Sequence, residues 1–457
     1  MTVKKPFRTF SLILFLFSVG GCASAGLVKA LTWEAPALEK VPVAYESQAE
    51  GLLELNEDST LSDYLTCAAL NNPGLKAAFL RWKAALEKIP EVSSPPDPRF
   101  TYTYFIREVE TRVGPHRQKF GLSQTFPWLG KLKLRGHAAS EAAQAEKQRY
   151  EAAKLKLFYQ VQEAYYEYYY LAQAIAVTRE NFNLVRYVES VARTRYAAGA
   201  TDHADIIRAQ VELGKLEDRL RTLSDLRWAI VARLNAALNR PAPAHLPWPA
   251  RAEEEEVAFT QDEILTWLKQ NNPELRAVDF LAARERWNID LAKKNYYPDL
   301  TLSLERVDTG EAAMPGVEDS GKDPVMAMVS INIPLWREKY RAGERQAQAR
   351  YRAFQEERSD RENRLAADVK LTLYKYRDAE RKMDLYKNTL IPKADQSLRV
   401  NIYTYQAGKG TFLDMIDAAR TILDFQLAYE RAFADRAQRL AELEMLVGTR
   451  LPGKMLR

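Results

Sequence analysis

The amino-acid sequence predicts a mainly helical chain with a small β part, in which the second half repeats the design of the first. Motifs of the first half return about 200 residues later, and two very long helical segments each follow a pair of short alternating segments. A long internal duplication usually indicates one architecture built from equivalent units. The two halves are therefore interpreted together.

Three pairs of motifs carry the duplication, and they occur in the same order in both halves. The pairs are residues 71–73 and 271–273 (both Asn-Asn-Pro), residues 126–128 and 333–336 (both with Pro and Trp), and residues 196–205 and 405–414 (both with Tyr-x-x-Gly and a later Asp). The offset grows from 200 for the first pair to 209 for the last. The small insertions therefore lie between these motifs, in predicted loops.

The domain organisation follows from these repeats. We expect, in order, a signal peptide, an irregular N-terminal arm, a first repeat (helix, β-hairpin, long helix, helix), a Pro-rich acidic linker and a second repeat of the same design. Their predicted bounds are residues 1–21, 22–57, 58–240, 241–260 and 261–450.

Each repeat is predicted to contain one very long helix and two shorter ones. The long helices are predicted at residues 130–198 and 336–407, and the shorter ones at residues 61–90, 202–239, 262–297 and 411–448. In each repeat the two shorter helices together are about as long as the long helix, so they can stack end to end beside it. Pro392 lies inside the second long helix and should bend it or loosen one turn.

The first long helix carries two heptad seams, one containing Val161 and Tyr168 and the other containing Phe158 and Tyr165. One seam is enough for a solitary coiled coil, whereas two seams let a helix pack against neighbours on both sides, as in a closed cylinder. A solitary coiled coil leaves the second, aromatic-rich seam in water. The pattern therefore favours the cylinder.

Four short segments show the period-two alternation of β-strands, with apolar side chains on one face. The apolar positions are Phe100, Tyr102, Tyr104 and Ile106; Phe120, Leu122 and Phe126; Leu300, Leu302 and Leu304; and Val325, Ala327, Val329, Ile331 and Ile333. We therefore predict two β-hairpins, one before each long helix, with an apolar face of the kind that contacts lipid.

The N-terminus has the pattern of a targeting segment. A basic stretch with Lys4, Lys5 and Arg8 precedes an apolar run at residues 10–19. This run is too short to span a bilayer, so it indicates a signal peptide.

The end of this segment predicts a lipid anchor. Residues 19–22 (Val-Gly-Gly-Cys) resemble the lipobox of bacterial lipoproteins, in which the cysteine, here Cys22, becomes the acylated first residue. The following Ala23 and Ser24 include no aspartate, which under the rule for such lipoproteins implies the outer membrane. The alternative is an ordinary signal peptide that is cleaved after Ala23 or Ala25.

Composition and motifs exclude several classes of function. The formal net charge is +5, and no block of Lys or Arg marks a groove for nucleic acid. The four histidines are widely separated, and no catalytic constellation, metal-ligand spacing, phosphate loop or dinucleotide fingerprint occurs. We therefore predict a protein that is not an enzyme and that has no catalytic residue, metal site or cofactor.

Taken together and in duplicate, these motifs resemble the TolC family of outer-membrane efflux channels, in its lipoprotein branch. The resemblance covers roughly residues 57–450 and includes residues 123–131 and 411–418 besides the doubled motifs. It implies a homotrimer, in which each chain gives four strands to a shared twelve-stranded outer-membrane β-barrel and its long helical hairpins to a trimeric periplasmic α-barrel. It also implies the exit duct of a tripartite RND-type system, which works with a periplasmic adaptor (membrane fusion protein) and an inner-membrane pump.

The resemblance further assigns roles to the turns that join the helices. In the family, hydrogen bonds and ion pairs between these turns close the periplasmic end, and aspartates form a ring that selects cations. Asp205 matches the acidic partner on the first turn, Tyr405 matches the tyrosine on the second, and Asp414 and Asp417 match the ring. A well-studied member has an arginine two residues after the glycine of the second turn, where this chain has Gly410. Helix capping is the alternative role for Asp205 and Asp414.

Two classes of function follow from these observations. One is an efflux duct that exports small molecules or ions passively, and the other is a structural periplasmic coiled-coil lipoprotein without a pore. The predicted hairpins favour the duct, because a periplasmic rod has no need of strands with a lipid-facing surface.

Overall fold

The computed structural model describes residues 55–249 and 257–452, whose helices and strands are numbered here in chain order. The first half contains α1 (Leu61–Asn71), α2 (Pro73–Ser93), β1 (Arg99–Val109), β2 (His116–Phe126), α3 (Lys131–Ala197) and α4 (His203–Ala237). The second half contains α5 (Gln261–Asn271), α6 (Pro273–Lys294), β3 (Leu300–Thr309), β4 (Val325–Ile331), α7 (Arg337–Leu385), a π-helical turn (Tyr386–Leu390), α8 (Ile391–Gln406) and α9 (Phe412–Val447).

The prediction of a mainly helical fold with a small β part is confirmed. Within the described residues, both halves follow the same order of elements, with two strands between a pair of short helices and a very long helical segment. The first long helix, predicted at residues 130–198, is α3 and spans residues 131–197. The predicted signal peptide and most of the N-terminal arm lie outside the described residues.

The prediction of one uninterrupted helix at residues 61–90 is wrong, because the chain breaks at the Asn-Pro motif. Asn72 lies between α1 and α2 in an extended conformation, with φ −68° and ψ 119°. Pro73 lacks a backbone N–H and cannot continue α1, but it fits the first position of α2. The Oδ1 of Asn72 accepts a hydrogen bond from the N–H of Leu75 at 3.0 Å, and its Nδ2 donates to the carbonyl of Ala237 at 3.0 Å.

The second repeat uses its Asn-Pro motif in the same way, so the predicted helix at residues 262–297 is also divided. Asn272 accepts from the N–H groups of Glu274 at 2.9 Å and Leu275 at 3.0 Å. Its Nδ2 donates to the carbonyl of Leu446 at 2.7 Å. Each asparagine therefore caps one helix and ties the junction to the C-terminal end of a third helix. This shared role explains the doubled motif.

The second long helical segment is loosened next to Pro392, as the sequence predicts. α7 gives way to the π-helical turn, and α8 begins at Ile391 with Pro392 in its first turn. Proline has no N–H to donate to the preceding turn, and its ring clashes with the carbonyl four residues earlier. A wider turn relieves both conflicts. The prediction of a loosened turn is confirmed.

The four strands form one antiparallel sheet in the order β1-β2-β3-β4. One cross-strand row contains Phe100, Leu122, Leu304 and Ala327, and the next row, on the opposite face, contains Arg99, Ser123, Ser303 and Met328. Because residues in one row share a face, the apolar positions predicted for the separate strands combine into one apolar face.

The described residues form two compact units, and both repeats contribute to each. The first contains the sheet, with residues 83–144 and 279–355. The second contains the described parts of residues 42–82, 145–278 and 356–457. None of the described helices is both long enough and apolar enough to cross a membrane.

In the first unit, an ion pair between a buried lysine and a partly exposed aspartate joins the start of α3 to the start of β3. The Lys131 side chain, 4% exposed, donates to Asp299 at 2.7 Å and to the carbonyl of Tyr297 at 3.0 Å. The backbone N–H of Trp128 also donates to Asp299, at 2.8 Å. Trp128 and Lys131, which follow Pro127 in the first Pro-Trp motif, therefore anchor the end of the sheet.

In the second unit, an apolar core holds four helices together next to the turns that join them. α3 contributes Val188 and Ala192, α4 contributes Ile206, α8 contributes Leu398, and α9 contributes Met415 among other buried residues. Because these side chains are at most 6% exposed, the helix ends are fixed relative to one another. The turns at these ends carry the predicted gate residues.

Candidate gate at the helix turns

Two turns of the same geometry join the helices at this end of the second unit. The first turn (residues 198–202) joins α3 to α4, and the second turn (residues 407–411) joins α8 to α9. Gly199 has φ 70° and Gly408 has φ 77°, a conformation that only glycine adopts without strain. The N–H after each glycine donates to the carbonyl five residues earlier, at 2.8 and 2.9 Å, as in a Schellman motif. This geometry accounts for the doubled Tyr-x-x-Gly.

The structure brings together two of the predicted gate residues, Asp205 and Tyr405. The hydroxyl of Tyr405 donates to Oδ2 of Asp205 at 3.3 Å, and the hydroxyl of Thr201 donates to the same oxygen. Arg208 pairs with the other carboxylate oxygen at 3.3 Å. Tyr405 is 2% exposed, and burial raises the pKa of its hydroxyl. The neutral hydroxyl thus remains a hydrogen-bond donor at neutral pH.

Arg195 completes this contact, although the sequence analysis did not single it out. Its guanidinium donates to the carbonyls of Tyr405 and Ala200, the latter at 3.1 Å. It also lies 4.5 Å from the centroid of the Tyr405 ring, within cation–π distance. Arg195 therefore connects the first turn to the end of α8. We call Arg195, Asp205 and Tyr405 the latch.

Gly410, at the position of the family arginine, has no room for a side chain. A Cβ there would lie 2.7 Å from Oγ1 of Thr404 and 3.1 Å from the backbone nitrogen of Tyr405. The Gly410 N–H donates to the carbonyl of Thr404 at 3.0 Å, which holds the backbone in this close approach. In this chain the arginine at the turns comes from the end of α3 instead.

Asp414 and Asp417, the predicted ring residues, lie in the first two turns of α9. Thr411 is the N-cap of this helix, and its hydroxyl hydrogen-bonds both the N–H of Asp414 at 3.2 Å and its carboxylate at 2.6 Å. The alternative role of Asp414 in helix capping therefore has a structural basis. The side chain of Asp417 is 61% exposed and lies 3.3 Å from Arg420.

The other site predictions concern a lipid anchor and the absence of metals. Cys22, the predicted acylation site, lies outside the described residues. Across residues 55–249 and 257–452, no cluster of three or more His, Cys, Asp and Glu side chains could hold a metal ion.

Proteins with similar sequences are named as resistance, nodulation or export proteins. The chain is 22% identical over 431 residues to nodulation protein T of Rhizobium leguminosarum bv. trifolii, covering 86% of each chain. It is 21% identical over 399 residues to the cobalt-zinc-cadmium resistance protein CzcC of Cupriavidus metallidurans, covering 85% of this chain and 90% of the relative.

Solved structures with the same fold are outer-membrane proteins. The outer membrane protein VceC of Vibrio cholerae matches with a TM-score of 0.69 and 17% identity, over 85% of this chain and 96% of VceC. The open MtrE outer membrane channel of Neisseria gonorrhoeae matches with a TM-score of 0.66 and 18% identity, over 92% and 97%. The sequence profile of outer membrane efflux proteins matches residues 65–240 and 265–449, which cover most of both repeats. The chain therefore belongs to the outer membrane efflux protein family.

Proposed function

We propose that three copies of this chain form the exit duct of a tripartite efflux system. Small molecules or ions pass through it passively, from a periplasmic adaptor and an inner-membrane pump to the outside. In this proposal Cys22 carries a lipid anchor in the outer membrane, and the helices reach into the periplasm. The turns that hold the latch form the entrance.

The edges of the sheet are the observation that supports the trimer. In the described part of the chain, β1 and β4 each pair with a neighbouring strand on one side only. Unpaired backbone N–H and C=O groups are not tolerated in lipid, so both edges need partners there. Four strands are too few to enclose a channel, whereas three copies supply twelve. We therefore pair β4 of one copy with β1 of the next.

The two faces of the sheet match lipid on the outside and water on the inside. On the apolar face, Phe100 and Val329 are 67% and 70% exposed in the single chain. On the other face, Lys119 and Glu305 form an ion pair at 2.6 Å among Thr and Ser residues. A polar lumen of this kind suits ions and hydrated molecules.

The alternative, a structural periplasmic rod, fits the sheet poorly. A rod in the periplasm leaves the apolar face of β1–β4 in water, with several large side chains more than half exposed. Exposed apolar patches of this kind mark sites of lipid or protein contact. The helices alone do not separate the two functions, because both require packed helical hairpins.

Light scattering of the detergent-solubilised protein tests the trimer, and three chains per particle are expected.

A pair of variants tests the assignment of the two faces of the sheet to lipid and lumen. Val329→Lys places a charge on the proposed lipid face, at a cost of about 2–4 kcal/mol near the bilayer midplane, and should reduce the amount of trimer in outer membranes. Met328→Lys, the matched control on the lumen face, should not. A detergent-independent monomer, or equal effects of the two variants, supports the rod instead.

The entrance is proposed to select cations through Asp414 and Asp417. Three copies place six carboxylates around a narrow mouth, which concentrates negative potential there. Replacing both residues by alanine should lower cation selectivity in planar bilayers and weaken block by a trivalent cation. If the double variant conducts with unchanged selectivity, the two aspartates are ordinary residues of a solvated helix start.

A further inference from the structure

The exposed face of α9 beside the entrance carries one basic residue among several acidic ones. Asp414, Asp417 and Asp424 recur at helical spacing on the side of α9 opposite the buried core. Between residues 412 and 429 the only Lys or Arg is Arg420. Because Asp417 and Arg420 are one turn apart, their side chains can pair along the helix. A closed pair of this kind removes negative charge from the entrance.

Arg420 is shared between Asp417 and a glutamate of another helix. Its Nη2 donates to Oε2 of Glu212 in α4 at 2.6 Å, and its Nη1 lies 3.3 Å from Oδ1 of Asp417. Lys215 approaches the same Oε2 of Glu212 at 3.5 Å. The closer partner of Arg420 is thus Glu212.

The difference in burial reinforces the difference in distance. The side chain of Glu212 is 10% exposed, whereas that of Asp417 is 61% exposed. Ion pairs are weak when both groups are solvated and stronger when one is held in a less polar environment. The hydrogen bond from Arg420 also lowers the pKa of Glu212, so this carboxylate is ionised at neutral pH.

We propose that Glu212 is a positioning residue for cation selectivity, because it draws Arg420 toward α4 and leaves the charge of Asp417 available to cations in the entrance. This inference rests on the proposed function, in which Asp417 faces the passage. Without the Glu212 carboxylate, Asp417 is the remaining carboxylate in contact with Arg420. The two then form a full ion pair, and the entrance loses negative charge.

Planar-bilayer measurements of the permeability ratio of K⁺ over Cl⁻ test the proposal on the full-length trimer. Glu212→Gln should lower this ratio toward the value of Asp417→Asn. Arg420→Gln should raise it above that of the parent protein, and the double variant Glu212→Gln/Arg420→Gln should restore it to the parent value or higher. Glu217→Gln is the matched control, since Glu217 is a 58% exposed residue of α4 that pairs with Arg221 on its own helix.

The outcomes separate this inference from the proposed function. If Asp417→Asn lowers the ratio but Glu212→Gln leaves it unchanged, the role of Glu212 is refuted and the entrance assignment stands. If Asp417→Asn itself has no effect, the entrance assignment fails and the inference fails with it. If Glu212→Gln lowers the ratio and the double variant does not restore it, the effect does not act through Arg420. Should Glu212→Gln fail to assemble, Glu212→Met, which keeps the length of the side chain and removes its charge, takes its place, and an unchanged ratio in that variant refutes the proposal.

Discussion

Replacing Arg195 by methionine should open the proposed gate more than replacing Tyr405 by phenylalanine. Tyr405→Phe removes one hydrogen bond, the 3.3 Å contact with Asp205. Arg195→Met removes the two hydrogen bonds to the carbonyls of Tyr405 and Ala200 and the cation–π contact with the Tyr405 ring. Methionine keeps an apolar stem of similar width, so packing changes little.

The contacts give the size of each effect. One hydrogen bond of the Tyr405 kind contributes about 0.5–1.5 kcal/mol net. For Arg195, two hydrogen bonds from a charged donor contribute about 3–6 kcal/mol at full strength and an exposed cation–π contact adds about 0.5–1 kcal/mol. Because the bond to Tyr405 is only partly buried and the bond to Ala200 is exposed, we take about 2–4 kcal/mol for the sum. At about 1.4 kcal/mol per factor of ten, the ratio of open to closed gates should rise about 2- to 12-fold per chain in Tyr405→Phe. The corresponding rise in Arg195→Met is about 30- to 800-fold.

Conductance of the purified trimer in planar bilayers measures the opening, with two matched controls. Arg193→Met removes an arginine two residues away, which pairs with Glu189 on its own helix. Tyr196→Phe removes the hydroxyl of the corresponding tyrosine at the end of α3, just before the first turn, and this tyrosine is 48% exposed. Neither control should change the conductance.

Two results would refute the reasoning about the latch. Equal conductance in the parent protein, Tyr405→Phe and Arg195→Met would show that these contacts do not hold the closed state. A larger effect in Tyr405→Phe than in Arg195→Met would show that the hydroxyl, rather than the guanidinium, is the main link between the turns.

Three further predictions concern the anchor, the helix junctions and pH. Cys22→Ala should abolish incorporation of labelled palmitate, and label retained in this variant would contradict acylation at Cys22. Asn272→Ala should destabilise the protein by about 1–3 kcal/mol, because it removes a cap and a buried hydrogen bond, whereas Asn271→Ala should lower the midpoint of denaturant unfolding less. The pKa of Glu212 is lowered from 4.5, so its pair with Arg420 should stabilise fully above this pH and be lost as the pH falls through the lowered pKa. The parent should therefore lose more stability below pH 4.5 than Glu212→Gln, and parallel profiles would contradict this.

The elements that periodicity defines could be predicted from the sequence, whereas the helix junctions could not. Alternating residues such as Phe100 and Tyr102 identify the strands, because a half-buried strand has a period of two. The helical pattern, in contrast, continues across Asn72. Both α1 and α2 are helical, and only the backbone of Asn72 between them leaves the helical conformation. The Asn-Asn-Pro motif was visible as a marker of the repeat. Its role became clear only from the contact between Asn72 and Ala237, 165 residues away.

Arg195 was missed for a related reason. Comparing the two halves draws attention to residues that occur in both, and Arg195 is replaced by Thr404 at the same offset of 209. Its partners are backbone carbonyls, which carry no sequence signal. Glu212 and Arg420 are 208 residues apart and occur among many other charged residues, so their pairing also depends on the structure.

The two turns have the same backbone conformation but different side-chain contacts, and this difference suits a gate. Tyr405 is buried and donates to Asp205, whereas its counterpart Tyr196 is half exposed. Asp205 accepts from Tyr405 of α8 as well as from Thr201 of its own turn, whereas the carboxylate of its counterpart Asp414 accepts from Thr411, the cap of its own helix. The repeat therefore supplies the rigid Schellman turns twice but a single set of contacts between them. The ring of Tyr405 belongs to the apolar core of the four helices, but the contacts themselves are made by polar groups and by the guanidinium, so they can break without unfolding either turn. An entrance that opens and closes on a stable trimer requires this separation.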